Sequence, residues 1–500
     1  MNCEINKCFM EIASVFDNLK SDTGYKQIEY SLKELTNNLK EVSSREKIDK
    51  IHVEAIGTVL QKCNESFDKD QQSEVICCMT ECFRTLRNAC AGCKKNQDLV
   101  IQSSPSCLDC CEVTIKQFLQ ENTTTVSKLP EDKVVLLRCG VQFLGNLAAG
   151  HQGNSKQIWN QLSDSFRCLL LVQDEKLTQY VCMAIHTCLQ GCWEELASEL
   201  EKDINFQQII SHILSIVTTQ DLEWGVYVLE DAMRIRGSLE VIDEQQSETE
   251  RIFALEVLLH QLRSLSESEE LKNGAPDVCV ENIKHLCKQV VSNAYNILIL
   301  ASQDTQMTSP LQPELIVKQI EALGEATSNH SVYGVLQEES DLLTSAVYLL
   351  EAIHKLGKDG TNAFSSVAKL ASDDVDTDHP VFGLRKDLVR LIGNMCYRHR
   401  ENQQRAANLN ALPLILDQTN IDKKNPYITQ WAILAVRNLC EDCPDNKAIL
   451  AGLKKQGLAD NSAVLKELGM DAEIRDDKIY VMPPGKGGTG NPGDPSKGGK

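Results

Sequence analysis

Two cysteine pairs are the residues of this chain best suited to chemistry. Cys90-x-x-Cys93 and Cys107-x-x-Cys110 form a C-x2-C-x13-C-x2-C pattern, close to the spacing of structural zinc sites. Sulfurs sharing one zinc lie about 4 Å apart, because each Zn–S bond is about 2.3 Å. Asp374, Asp376 and Asp378 imitate the start of a calcium loop, but His379 stands where the loop needs Gly and Arg385 where it needs Glu. Lys486-Gly-Gly-Thr resembles a phosphate loop, yet no strand precedes it and no helix follows. The ten His are scattered, with no H-E-x-x-H or G-x-S-x-G. A Cys near His186 is expected by chance among 21 thiols. No nucleophile, base and orienting group come together, so neither an enzyme nor a cofactor is expected.

The elements that would have to position such groups read as helices. Leu384, Leu388, Leu391, Ile392 and Met395 share one helical face, as do Ile428, Trp431, Ala432, Ala435 and Leu439. Pro380 and Pro426 suit first helical positions, and Asn425 suits a cap before the second. No convincing period-2 strand is present. Polar or acidic breaks cover 244–250, 266–277, 303–313 and 371–380. The expected organisation is helical repeats over 1–370, an acidic linker at 371–380, further repeats over 381–475, and a disordered Gly/Pro/Lys-rich tail over 476–500.

Four segments share one frame: LRNACAGCKKNQDLV from Leu86, LGNLAAGHQGNSKQI from Leu144, IGNMCYRHRENQQRA from Ile392 and VRNLCEDCPDNKAIL from Val436. Each has an apolar residue two before an Asn, and a second Asn eight residues on: Asn88/Asn96, Asn146/Asn154, Asn394/Asn402 and Asn438/Asn446. Asn394 and Asn438 are 44 residues apart, within the roughly 40–47-residue period of HEAT and armadillo units. The second Asn is placed to cap the next helix. This frame also bears on the cysteines. Cys90 and Cys93 align with Ala148 and His151, Cys396 and His399, and Cys440 and Cys443. Stacked helices sit about 8–10 Å apart, so equivalent pairs in neighbouring repeats do not easily share one ion. The thiols read as structural.

NALPLIL, Asn410 to Leu416, resembles the armadillo loop-to-helix signature, with Asn410 where Gly is usual and a positive φ is expected. The stretch Phe382 to Leu450 resembles the C-terminal domain of the ataxin-10 family. The fold implied is an all-α, armadillo/HEAT-like helical repeat solenoid of about ten repeats. The resemblance implies a cytoplasmic, perinuclear scaffold that binds proteins and self-associates as a homo-oligomer, a trimer among the forms. It further implies roles in neuritogenesis, neuronal survival signalling and cytokinesis. The second functional reading is an importin-like adapter for extended peptides. Its Trp ladder is missing: Leu434, Arg84, Gln142 and Arg390 stand where Trp would precede each Asn by four.

Composition sets the remaining bounds. Net charge is −20, from 51 Lys and Arg against 71 Asp and Glu, so neither nucleic acid nor an anionic membrane surface is the expected partner. No run approaches 18 apolar residues, and MNCEINKCFM has neither the basic start nor the apolar core of a signal peptide. The cysteines are then expected to be reduced. Arg385, Lys386, Arg390, Arg398, Arg400 and Arg405 concentrate positive charge in an acidic chain. The candidate interaction surface comprises Asn394, Arg398, Arg400, Arg437 and Asn438.

Overall fold

Apolar residues three or four apart become the buried stripes of helices. The computed structural model describes residues 7–12, 22–66, 72–119, 128–267, 278–301, 311–359, 362–365, 377, 379–419, 422–453, 471–475 and 478–482. They belong to two compact units, Met1–Asn282 and Ile283–Lys500.

In the first unit the described helices of eight or more residues are α1 (Asp22–Asn38), α2 (Lys50–Glu65), α3 (Gln72–Cys90), α4 (Lys94–Ile101), α5 (Cys107–Leu119), α6 (Glu131–Ala148), α7 (Gln152–Leu169), α8 (Glu175–Leu200), α9 (Ile204–Val217), α10 (Glu223–Ala232), α11 (Ser238–Gln245) and α12 (Glu248–Glu267). Helices α1, α3, α6, α8, α10 and α12 each pack on the next, and α2, α5, α7, α9 and α11 form a second row. This two-row stacking is the architecture of a helical repeat solenoid. The acidic stretch 244–250 is a tight join, because α12 starts three residues after α11 ends.

Helix α13 (Val280–Asn293) precedes the second unit's α14 (Leu311–Ser328), α15 (Ser340–Asp359), α16 (Leu384–Met395), α17 (Arg400–Asn408), α18 (Ala411–Leu416), α19 (Ile428–Cys440) and α20 (Pro444–Gly452). Helices α14, α16 and α19 stack in one row, and α15, α17 and α20 in the other. Leu384, Leu388, Leu391, Ile392 and Met395 are all buried; in α19 Trp431 is half-buried and its four companions are buried. The units divide at 282/283. Helix α16 packs on α14 and α15, so the repeats after 381 share a core with residues that precede the acidic stretch. Residues 371–376 and 378 of that stretch lie outside the described residues.

Three expectations change. A short antiparallel hairpin, β1 (Asp471–Arg475) with β2 (Lys478–Met482), stands where repeat and tail are expected. Arg475 pairs with Lys478, and the strands carry Ile474, Ile479, Tyr480 and Val481, types that suit a pleated surface. Residues 483–500 lie outside the described residues. Pro380 and Pro426 are not first helical residues: α16 starts at Leu384 and α19 at Ile428. Asn425 does not cap α19. Its Oδ1 accepts the main-chain N–H groups of Arg385 (2.9 Å) and Lys386 (3.2 Å) in the first turn of α16, because the loop before α19 crosses the start of the preceding repeat.

Candidate interaction surface

The repeated frame is a hinge of fixed construction. Four residues after the first Asn, the chain takes a positive φ: Gly92 (63°), Gly150 (69°), Arg398 (53°) and Asp442 (51°). The next residue precedes the following helix, and there His151 and His399 accept N–H bonds from Asn154 and Asn402 at 3.3 Å. The second Asn is therefore inside the helix at its third position rather than at the cap. Its side chain turns back to the carbonyl seven residues earlier: Asn96 to Ala89 (2.8 Å), Asn154 to Leu147 (3.1 Å), Asn402 to Met395 (2.9 Å) and Asn446 to Leu439 (2.8 Å). Three also reach a neighbouring segment: Asn96 to Arg45 O, Asn402 to Gln337 O and Asn446 to Gln403 O.

The first Asn of each pair fastens one long helix to the one before it. Asn88 donates to Thr36 O (3.0 Å), Asn146 to Arg87 O (2.9 Å), Asn394 to Gly324 O (3.2 Å) and Asn438 to Gly393 O (3.0 Å). Asn394 and Asn438 are both buried, and their side chains serve inter-repeat bonds. Gln97 and Gln403, each following a second Asn, reach forward to carbonyls of the next hinge: Asn146 and Ala149, and Asn438 and Glu441. The frame shows Asn-Gln at 96–97 and 402–403, but the forward reach of the Gln is visible only in three dimensions.

The cationic patch separates into two classes. Arg385 pairs with Asp422. Arg390 holds Glu325 through both terminal nitrogens at 2.6 Å and lies 4.7 Å over the Trp431 ring. Arg400 pairs with Asp445 of the next repeat at 2.8 Å. Arg398, Arg400, Arg405 and Arg437 are exposed, Arg400 despite its ion pair, and Arg398 lies over its neighbour Tyr397. The last described repeat also exposes Tyr427 (72%), Ile433 (61%), Leu434, Ile449 and Leu453. Tyr427 takes φ 65° at the entry to α19, and Asn410 takes φ 56° before α18, as its sequence context predicts.

Asp387 carries a pH dependence into this repeat. Burial raises its carboxyl to about 6, against an opposing pull from Lys386. Its Oδ1 lies 3.1 Å from Lys386 Nζ but makes no hydrogen bond. Since the folded pKa lies above the ordinary 3.8, the stability this group contributes is present at acid pH and lost as pH rises through about 6. Asp387→Asn should therefore stabilise the chain at pH 7.5 by about 1–2 kcal/mol, with a smaller gain at pH 5. Urea denaturation of both proteins at the two pH values checks this; a variant less stable at pH 7.5 contradicts it.

The cysteine pairs sit in helix packing. Cys107 and Cys110 point their thiols at Val53 O (3.8 Å) and Gly57 O (3.9 Å) of α2. Burial pushes Cys107 to about 12, and burial with Asp109 and Glu65 nearby pushes Cys110 to about 11. Among the described residues, no group of three or more His, Cys, Asp or Glu is placed to hold a metal, and no helix is long and apolar enough to cross a membrane.

Comparison with known proteins fits this architecture. The family model described as "Spinocerebellar ataxia type 10 protein domain" matches residues 384–482. Ataxin-10 of Xenopus tropicalis is 33% identical over 413 residues, covering 80% of each chain. The chain belongs to the ataxin-10 family. Ataxin-10 of Bos taurus is 29% identical over 461 residues, 90% of this chain and 93% of that one. An ataxin-10 homolog of Dictyostelium discoideum is 38% identical over 92 residues, 18% of this chain and 15% of that one. The ataxin-10 domain model starts at the first residue of α16 and stops at the last residue of β2. The hairpin is thus within the matched family domain, together with the exposed apolar and cationic residues of the last repeat.

Proposed function

We propose that this ataxin-10-family chain is a non-enzymatic scaffold that binds proteins and self-associates through the surface of its last repeats. The observation that carries the reading is the exposure of five large apolar residues within one terminal repeat, Tyr427, Ile433, Leu434, Ile449 and Leu453. Grouped exposed apolar residues mark interaction sites, and a terminal repeat needs a polar cap or a partner for its outer face. The matching family model bears the name of a homo-association domain. Arg398 adds support: it holds a positive φ where the first unit's hinges have Gly92 and Gly150, a conformation that costs a non-glycine residue about 1 kcal/mol or more. Cytoplasmic, perinuclear location and work in neuritogenesis, neuronal survival signalling and cytokinesis complete the proposal, with a trimer among the assembled forms.

Point variants of the full chain test this better than truncation at 371, which would uncover the faces of α14 and α15 that pack on α16. Sedimentation equilibrium should show an oligomer for the wild type and a shift towards monomer for Ile433→Glu and for Tyr427→Glu, with helicity unchanged. Arg398→Gly should weaken association at least severalfold while leaving the fold as stable or more stable. An unchanged oligomer in both apolar variants places the association surface elsewhere and removes this reading.

A further inference from the structure

In the second unit, a cation of the chain itself fills an aromatic and acidic slot. The Trp431 ring of α19 receives the Arg390 guanidinium of α16 at 4.7 Å, and Glu325 of α14 grips that guanidinium at 2.6 Å through both oxygens. Ring face, guanidinium and carboxylate come from three successive long helices.

The long-helix row of the first unit carries the same ingredients without the arginine. His186 of α8 and Trp224 and Tyr227 of α10 form a triangle of rings, with centroids 5.7, 5.6 and 5.5 Å apart. All three are half-buried rather than sealed in the core. Carboxylates flank them. The Tyr227 hydroxyl donates to Glu223 Oε1 at 3.1 Å, and Glu230 lies one turn further along α10, 3.4 Å from His260. Buried Asp231 holds His186 Nδ1 at 2.7 Å and accepts from Gln190 at 2.7 Å. The histidine ring is thereby fixed, with Nε2 as its other polar atom. Among the described residues, cations lie over Phe118, Trp431 and Tyr397, and none lies over Trp224 or Tyr227.

Ring faces attract cations through their negative quadrupole, and Trp does so best. A guanidinium suits such a place better than an ammonium, since it is planar, weakly hydrated and able to stack while pairing with a carboxylate. We propose that the His186–Trp224–Tyr227 face of the first unit is a receptor for an arginine side chain presented by a partner protein, with Glu223 as its carboxylate. The occupant is argued from the negative charge around the rings and from Arg390, which the second unit holds between a Trp ring and a carboxylate.

The test uses the full chain at near-physiological salt, where loose charge attraction is screened. The probe is a labelled Gly/Ser peptide carrying two arginines, with a lysine-for-arginine copy as its comparison, both followed by fluorescence anisotropy. The arginine peptide should bind at least about tenfold more tightly than the lysine peptide, and Trp224→Leu should weaken it by about tenfold. Glu223→Gln, an exposed change that leaves the packing alone, should weaken it severalfold and decides the matter if Trp224→Leu fails to fold. Equal affinity for both peptides, wild-type affinity in Glu223→Gln, wild-type affinity in a folded Trp224→Leu, or no binding at about 1 mM peptide would each overturn the proposal.

Discussion

Asn402→Ala is expected to cost the second unit about 3 kcal/mol of stability, a large share of what holds a domain together. The Asn402 side chain is buried. Its Nδ2 donates to Met395 O at 2.9 Å and to Gln337 O at 2.7 Å. Met395 closes the helix before the hinge, while Gln337 lies in the neighbouring segment between α14 and α15. One amide thus fixes the bend within a repeat and ties that repeat to the one before. Alanine takes the donor from a buried carbonyl, Met395 O, and a part-buried one, Gln337 O, at about 1–3 kcal/mol each. The better helix propensity of alanine returns about 0.7 kcal/mol.

Partner number ranks the four hinges. Asn96 and Asn446 each have two carbonyl partners and are fully buried, so their alanine variants should resemble Asn402→Ala. Asn154 has one such carbonyl, Leu147 O, and should lose about half as much. Asn402→Asp keeps the size but supplies no donor and should be at least as damaging as alanine. Urea denaturation followed by circular dichroism reads all five proteins against wild type. Equal losses at Asn154 and Asn402, or a loss below about 1 kcal/mol at Asn402, would mean that the amide bonds do not carry the hinge.

These asparagines show what a sequence can disclose. Their recurrence is legible because every repeat must solve the same geometric problem, and solves it with the same residue type. Their task is less legible, because a cap and a third helical position differ by three residues, and the preference of Asn for helix starts fits either. Asn425 misleads for a related reason. Capping rules are local, whereas its partners Arg385 and Lys386 lie about 40 residues earlier. The left-handed hinge position is visible as Gly92 and Gly150 and hidden as Arg398 and Asp442. Charge counting suggests one patch from Arg385 to Arg405; Asp422, Glu325 and Asp445 divide it, through pairings that no spacing rule contains. The hairpin escapes notice because five-residue strands give too short an alternation to stand out beside a Gly/Pro-rich tail. The ring triangle of His186, Trp224 and Tyr227 has only half a signal, the i, i+3 pair on α10, with its third member about 40 residues away.

Gly393→Val is expected to be more damaging than any of the asparagine variants. A glycine inside a helix ordinarily costs about 1 kcal/mol relative to alanine, so its presence in α16 requires a compensating gain. The gain is proximity. A Cβ placed on Gly393 would lie 2.8 Å from Ala435 Cβ and 2.9 Å from Ala435 Cα of α19. Real side chains do not approach backbone that closely, so the helices would have to separate. Separation also pulls Asn438 Nδ2 from Gly393 O, now 3.0 Å away. Gly393→Ala should therefore destabilise by about 2 kcal/mol despite its gain in propensity, and Gly393→Val by about 4 kcal/mol. Gly452, which ends α20 with nothing within 4 Å of an added Cβ, supplies the contrast: Gly452→Ala should be neutral or stabilising. Two further variants of the same chain separate crowding from other causes. Ala435→Gly should partly rescue Gly393→Ala, because it removes the nearer clash, with the methyl group, and leaves the one with the main chain. Asn438→Ala should cost less in the Gly393→Ala background than in the wild type, since the bond is already broken there. A stabilising Gly393→Ala would show that the two long helices are free to move apart, and that the glycine does not set their spacing.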